Sequence, residues 1–71
     1  MNQINPRKLL HSKWTAAQPQ NKEKHFIITE IEFDEDGVVE HCLIEAVHSG
    51  NEYAINWRDL KDSQQWRQGW K

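Results

Sequence analysis

The chain has 71 residues, a formal net charge of −2, 37% hydrophobic residues, four tryptophans and one cysteine. That length allows one domain, residues 1–71, with a thin core that removes only about 60% of the unfolded surface from water. It excludes a two-lobed catalytic cleft, a disulfide framework built on Cys42 and, with no long apolar run, a membrane-spanning helix.

The start, Met1 to Pro6, lacks the hydrophobic stretch of a secretory leader, so a reduced cytoplasmic setting is expected. Asn5-Pro6 reads as a helix start, with Asn as N-cap and Pro at the first helical position. A brief helical turn is expected near residues 6–11. Lys13 to Ala16 reads as a short strand. Residues 17–24 are polar, contain Pro19 and show no periodicity, so they read as a loop.

His25 to Phe33 is the clearest strand, rich in β-branched and aromatic residues. Asp36-Gly37 is a hairpin signal, and Val38 to Val47 forms the second strand. Residues 48–52 make another turn, and Tyr53 to Trp57 forms a third strand. A two-residue turn at Ser49-Gly50 or Gly50-Asn51 puts Cys42, Ile44 and Ala46 on one face with Tyr53, Ile55 and Trp57. A two-residue turn at Asp36-Gly37 adds Ile27, Thr29, Ile31 and Phe33 to that face, and this register is preferred. A three-residue turn with Gly37 as a bulge brings Phe26 and Ile28 there instead. Both faces carry apolar residues, which favours a bent sheet covered by its ends. Towards the C-terminus, Leu60 is a lone apolar anchor. Asp62 or Ser63 is placed to cap a short helix ending at Gly69, with Trp66 and Trp70 on one side.

Charge is segregated. Residues 1–24 carry five bases against Glu23, residues 25–55 carry eight acids and no Lys or Arg, and the C-terminal part is again basic. The plain reading is charge pairing within the fold, and the second is a partner footprint.

Asn5-Pro6, Lys8-Leu9-Leu10, Ser12 to Ala16, Lys24-His25-Phe26, Trp57 to Asp62 and Trp66 to Trp70 together resemble a small bacterial family of tryptophan-rich proteins of unknown function. The resemblance covers nearly the whole chain. It implies a free-standing bacterial cytoplasmic protein and carries no catalytic residue or cofactor over. In strand order the chain is also similar to SH3-like and Tudor-like small barrels, modules that bind through exposed aromatic rings. A fold does not fix a function.

Chemistry-bearing groups are sparse. His41 and Cys42 are adjacent in a strand and point to opposite faces. His25 and His48 face each other in the preferred register, but two histidines do not complete a four-ligand zinc site. Cys42 sits among acids and apolar residues, which suits a buried, inert thiol. Asp34, Glu35 and Asp36 crowd one turn without a calcium-loop pattern. The three glycines stand singly, so no phosphate loop is present. No metal, cofactor or catalytic residue is expected.

The expected architecture is mainly β, a bent antiparallel meander of three to four strands with short helical turns at both ends. Trp14, Ile27, Ile31, Phe33, Ile44, Ile55, Trp57 and Leu60 are its expected core. The expected function is a non-enzymatic protein-interaction module. Trp66 and Trp70, flanked by Arg58, Lys61 and Arg67, are its candidate partner surface, because chain ends bury rings least reliably. The alternative is an RNA or single-stranded nucleic-acid binder, in which bases stack on these rings at about 1–3 kcal/mol each. No membrane partner is expected.

Overall fold

The computed structural model describes residues 2–20 and 22–71. Asn5 caps a first 3₁₀ turn, Pro6–Lys8, its side chain accepting from the Arg7 amide. Five strands follow: β1 (Lys13–Gln20), β2 (Glu23–Phe33), β3 (Val39–Ala46), β4 (Glu52–Ala54) and β5 (Trp66–Gln68). A second 3₁₀ turn, Trp57–Lys61, separates β4 from β5 and is capped in the same way by Asn56. All strand pairs are antiparallel. Strands β1 to β4 form a meander, and β5 returns to the free edge of β1, giving the order β4-β3-β2-β1-β5. The edge strands β4 and β5 do not pair with each other, so the sheet stays open.

Four expectations are corrected here. Most of residues 17–24, expected as a loop, is strand: β1 runs on through Pro19 to Gln20, which pairs with Glu23 of β2, while Lys22 is a turn and Asn21 lies outside the described residues. Beyond Ala17, which bonds the Gln65 carbonyl, β1 has β2 on one side only, and an edge of this kind tolerates proline. The expected C-terminal helix is instead β5, which holds to β1 through Ala16↔Trp66, Thr15↔Arg67 and Trp14↔Gln68. Strand four is shorter than Tyr53 to Trp57, since Trp57 opens the second 3₁₀ turn. The sheet therefore has five strands rather than three or four, and the second helical turn precedes the last strand.

The fourth correction concerns register. The Asp34 side chain accepts from the amides of Asp36 and Val38 at 2.9 and 3.0 Å, and Gly37 takes φ +79°. These bonds favour the three-residue turn, with Asp34 N–H bonded to the Val38 carbonyl at 2.8 Å. The ladder then shifts at Glu40 and shifts back at Thr29. Between these bulges Ile31 faces Cys42, as the two-residue register requires. Before Thr29, Phe26 faces Ala46 and Ile28 faces Ile44, as the three-residue register requires. Each bulge moves the following side chains to the other face.

The core accordingly comprises Leu9, Trp14, Phe26, Ile28, Cys42, Ile44, Ala46 and Leu60. Of the expected set, Trp14, Ile44 and Leu60 are buried, and Ile31, Ile55 and Trp57 pack against the core half-buried. Ile27 is not a core residue: it stands opposite Glu45, half-buried on the outer face. Phe33 is 42% exposed beside the turn. Ile28 is fully buried, and such a side chain contributes about 1.5–3 kcal/mol by leaving water.

Both chain ends are fastened by polar contacts. The Asn2 amide side chain donates to the carbonyls of Leu60 and Trp66 at 2.8 and 2.7 Å, covering part of the outer edge of β5. Thr15, 2% exposed, donates to the Gly69 carbonyl at 2.7 Å and accepts from the Lys71 amide at 2.9 Å.

Candidate binding groove

Residues from all five strands line one hollow of about 280 Å³ on the inner face of the sheet. Phe26 and Ile44 form its floor, Tyr53 and Ile55 one wall, and Trp66 with Ala16 the other. Trp66 faces inward because it pairs with Ala16, two residues along from the buried Trp14. Its ring meets Phe26 edge-to-face, with centroids 5.1 Å apart and planes at 84°. Such a pair adds about 0.5–1.5 kcal/mol beyond area burial and fixes the ring at the lip. Gln18 and Gln20, from the stretch of β1 beyond its pairing with β5, complete the rim.

At one end of the hollow lies Glu23, only 6% exposed. Its Oε1 accepts from the Tyr53 hydroxyl at 2.7 Å. Its Oε2 accepts from the Ser49 hydroxyl and from the Asn51 side chain. The bonds from Ser49 and Tyr53 hold the carboxyl below its ordinary value, and the carboxylate in turn raises the Tyr53 hydroxyl. Among the described residues no Lys or Arg lies within salt-bridge distance of it. Lys22 and Lys24 instead line a separate depression with His25, Val47 and His48.

The five residues expected to form a partner surface do not come together. Trp66 lines the hollow. Trp70 lies on the opposite face: its indole donates to the Phe26 carbonyl at 3.0 Å and its ring meets that of His25 at 5.9 Å, under the Lys13 ammonium at 4.8 Å. Gly69, at φ +80°, turns the chain across the sheet between the two rings. Arg58 and Lys61 pack over Trp57, at 5.9 and 4.8 Å from its ring centre, rather than beside Trp66. Arg67, opposite Thr15, is exposed on the outer face.

Cys42 is 2% exposed, and burial pushes its thiol up to about 11, so the nucleophilic thiolate is scarce at neutral pH. His41 pairs with Glu30 at 3.4 Å. Among the described residues no three His, Cys, Asp or Glu side chains gather as metal ligands, and no helix is long and apolar enough to cross a membrane.

Glu23, Phe26 and Tyr53 were not among the expected site residues. Glu23 fell inside the stretch read as a loop. Phe26 was assigned to the wrong face by the preferred register.

A single antiparallel sheet of five strands, with an aromatic hollow on one face and a held carboxylate at its end, makes this a small mainly β protein. The family model for the tryptophan-rich protein family DUF2389 matches residues 12–71, from just before β1 to the C-terminus, and the chain belongs to that family. No curated protein and no solved structure matches the chain.

Proposed function

We propose that this chain is a non-enzymatic protein-interaction module that receives an extended segment of a partner protein in the hollow between β1 and β4. The observation that carries the reading is the open sheet, which leaves the faces of Tyr53 and Trp66 accessible above a packed floor of Phe26 and Ile44. At about 280 Å³ the hollow lies at the small end of ligand sites, suited to one or two side chains rather than a large cofactor. Gln18, Gln20 and the exposed strand β4 offer the polar edges that an extended backbone pairs with. The strand order, with a 3₁₀ turn between the last two strands, supports reading the sheet as a partly open barrel of SH3-like or Tudor-like type. The family resemblance and the unpaired Cys42 support a bacterial cytoplasmic setting.

A second reading, RNA or single-stranded nucleic-acid binding, is favoured by the cations at Trp57 and Trp70. Those cations already cover ring surface on which a base would stack, which weighs against it. Selection from a displayed library of random decapeptides tests the first reading. Enriched peptides are expected to lose at least about tenfold in affinity on Trp66→Ala, a hot-spot-sized effect, and to keep it on Trp57→Ala. An absence of enrichment, or binding indifferent to Trp66→Ala, contradicts it. Salt-steep binding of single-stranded RNA that depends on Trp57 supports the second reading.

A further inference from the structure

We infer that the hollow selects a lysine or arginine side chain, seated against the Glu23 carboxylate at the end walled by Tyr53. This rests on the peptide-binding reading above and specifies what the bound segment must carry.

The starting observation is an electrostatic imbalance. Buried charges in proteins are paired with an opposite charge or a metal, because removal from water otherwise disfavours them. Glu23 is 94% covered yet has no cation beside it among the described residues. Neutral donors alone hold it: two hydroxyls and one amide. They keep the carboxyl ionised at neutral pH. They also leave acceptor capacity free, since Oε1 takes one bond, from Tyr53, and a carboxylate oxygen accepts two.

The surroundings suit a cation on a long apolar stem. Tyr53, Phe26 and Trp66 line the same hollow as the carboxylate. Aromatic faces attract an ammonium or guanidinium, and the apolar floor covers the methylenes behind it. Three of the chain's nine cations are engaged elsewhere, Lys13 over Trp70 and Arg58 and Lys61 over Trp57, and Lys22 and Lys24 line a separate depression. The acids of residues 25–55, with no Lys or Arg among them, add a field of the right sign.

The test uses the whole chain and the decapeptides enriched from the random library. One basic position is expected in every enriched peptide. Replacing that residue by norleucine, which keeps the stem and removes the charge, is expected to weaken binding about tenfold, the worth of one charge-assisted hydrogen bond. Glu23→Gln is expected to weaken the basic peptide by a similar factor and to leave the norleucine peptide unchanged. Should Glu23→Gln fold poorly, the norleucine comparison on the unaltered chain decides alone. Enriched peptides that lack a basic residue but still require Trp66 overturn this inference and leave the peptide-binding reading standing. Peptides indifferent to Trp66, or no enrichment, overturn both.

Discussion

Glu23 shows how much of the site depends on single atoms. Its carboxyl is held below its ordinary value by the Ser49 and Tyr53 hydroxyls first, with Asn51 adding to them against the opposing effect of burial. A folded-state value below the unfolded one means that the stabilisation is full above the ordinary carboxylate range. It is lost as pH falls through the lowered folded value. Tyr53→Phe removes one donor, so the Glu23 carboxyl is expected to titrate higher and the acid limb of the stability curve to flatten. Carbon-detected NMR titration of the side chain reads this directly, and an unchanged titration contradicts the bond. Burial supplies a second residue-scale contrast. Ile28→Ala is expected to cost about 2–5 kcal/mol in urea unfolding, whereas Phe33→Ala, at an exposed site, should stay within about 0.5 kcal/mol. The sequence pattern of strand β2 favoured the opposite ranking, because strict alternation runs through Thr29, Ile31 and Phe33 while the bulges that reassign faces leave no mark in composition. Trp14, Ile44 and Leu60 were legible, each being a bulky apolar side chain whose burial needs no register choice or one that both turns satisfy.

At the scale of elements, β1 and β5 were the least legible. Lys13 to Ala16 reads as a strand from the sequence and is one, but the rest of β1 and all of β5 are short of apolar residues and are recognisable as strand only from the partner each pairs with. Spacing Trp66 four residues from Trp70 suits a helix equally well, and only the positive φ of Gly69 in the fold separates the rings. No atom crowds a Cβ built on Gly69, so Gly69→Ala is expected to cost backbone strain alone, about 1–2 kcal/mol. It should also loosen the Trp70 indole from the Phe26 carbonyl, seen as increased quenching of tryptophan emission by acrylamide. The N-terminal strap makes a parallel prediction. Asn2→Ala removes both side-chain bonds to Leu60 and Trp66, and a loss of about 1–3 kcal/mol is expected, with faster amide exchange in β5. The two 3₁₀ turns differ in this respect. Asn5 and Asn56 sit as caps in both, yet only Asn5-Pro6 announces itself, through the proline at the first position.

Over the whole molecule, five strands extend to 37 × 26 × 15 Å between Cα atoms, a curled sheet thinner than it is wide. The mainly β class and the antiparallel pairing followed from β-branched runs separated by Asp-Gly and Gly-Asn signals. The closing geometry did not, because it depends on β5 crossing back to β1, a contact more than 45 residues apart in sequence. That return leaves the inner face lined by aromatic rings and sends the last tryptophan to the outer face. The four indole N–H groups therefore report separately on the regions a partner could use. Titrating an enriched decapeptide into uniformly ¹⁵N-labelled protein and following those four signals gives the most direct reading. The hollow as the binding site requires the Trp66 indole to shift together with the Glu23 and Tyr53 amides, while Trp57 and Trp70 stay still. Movement of Trp57 and Trp70 with Trp66 silent would place the partner on the basic outer surfaces and contradict the groove.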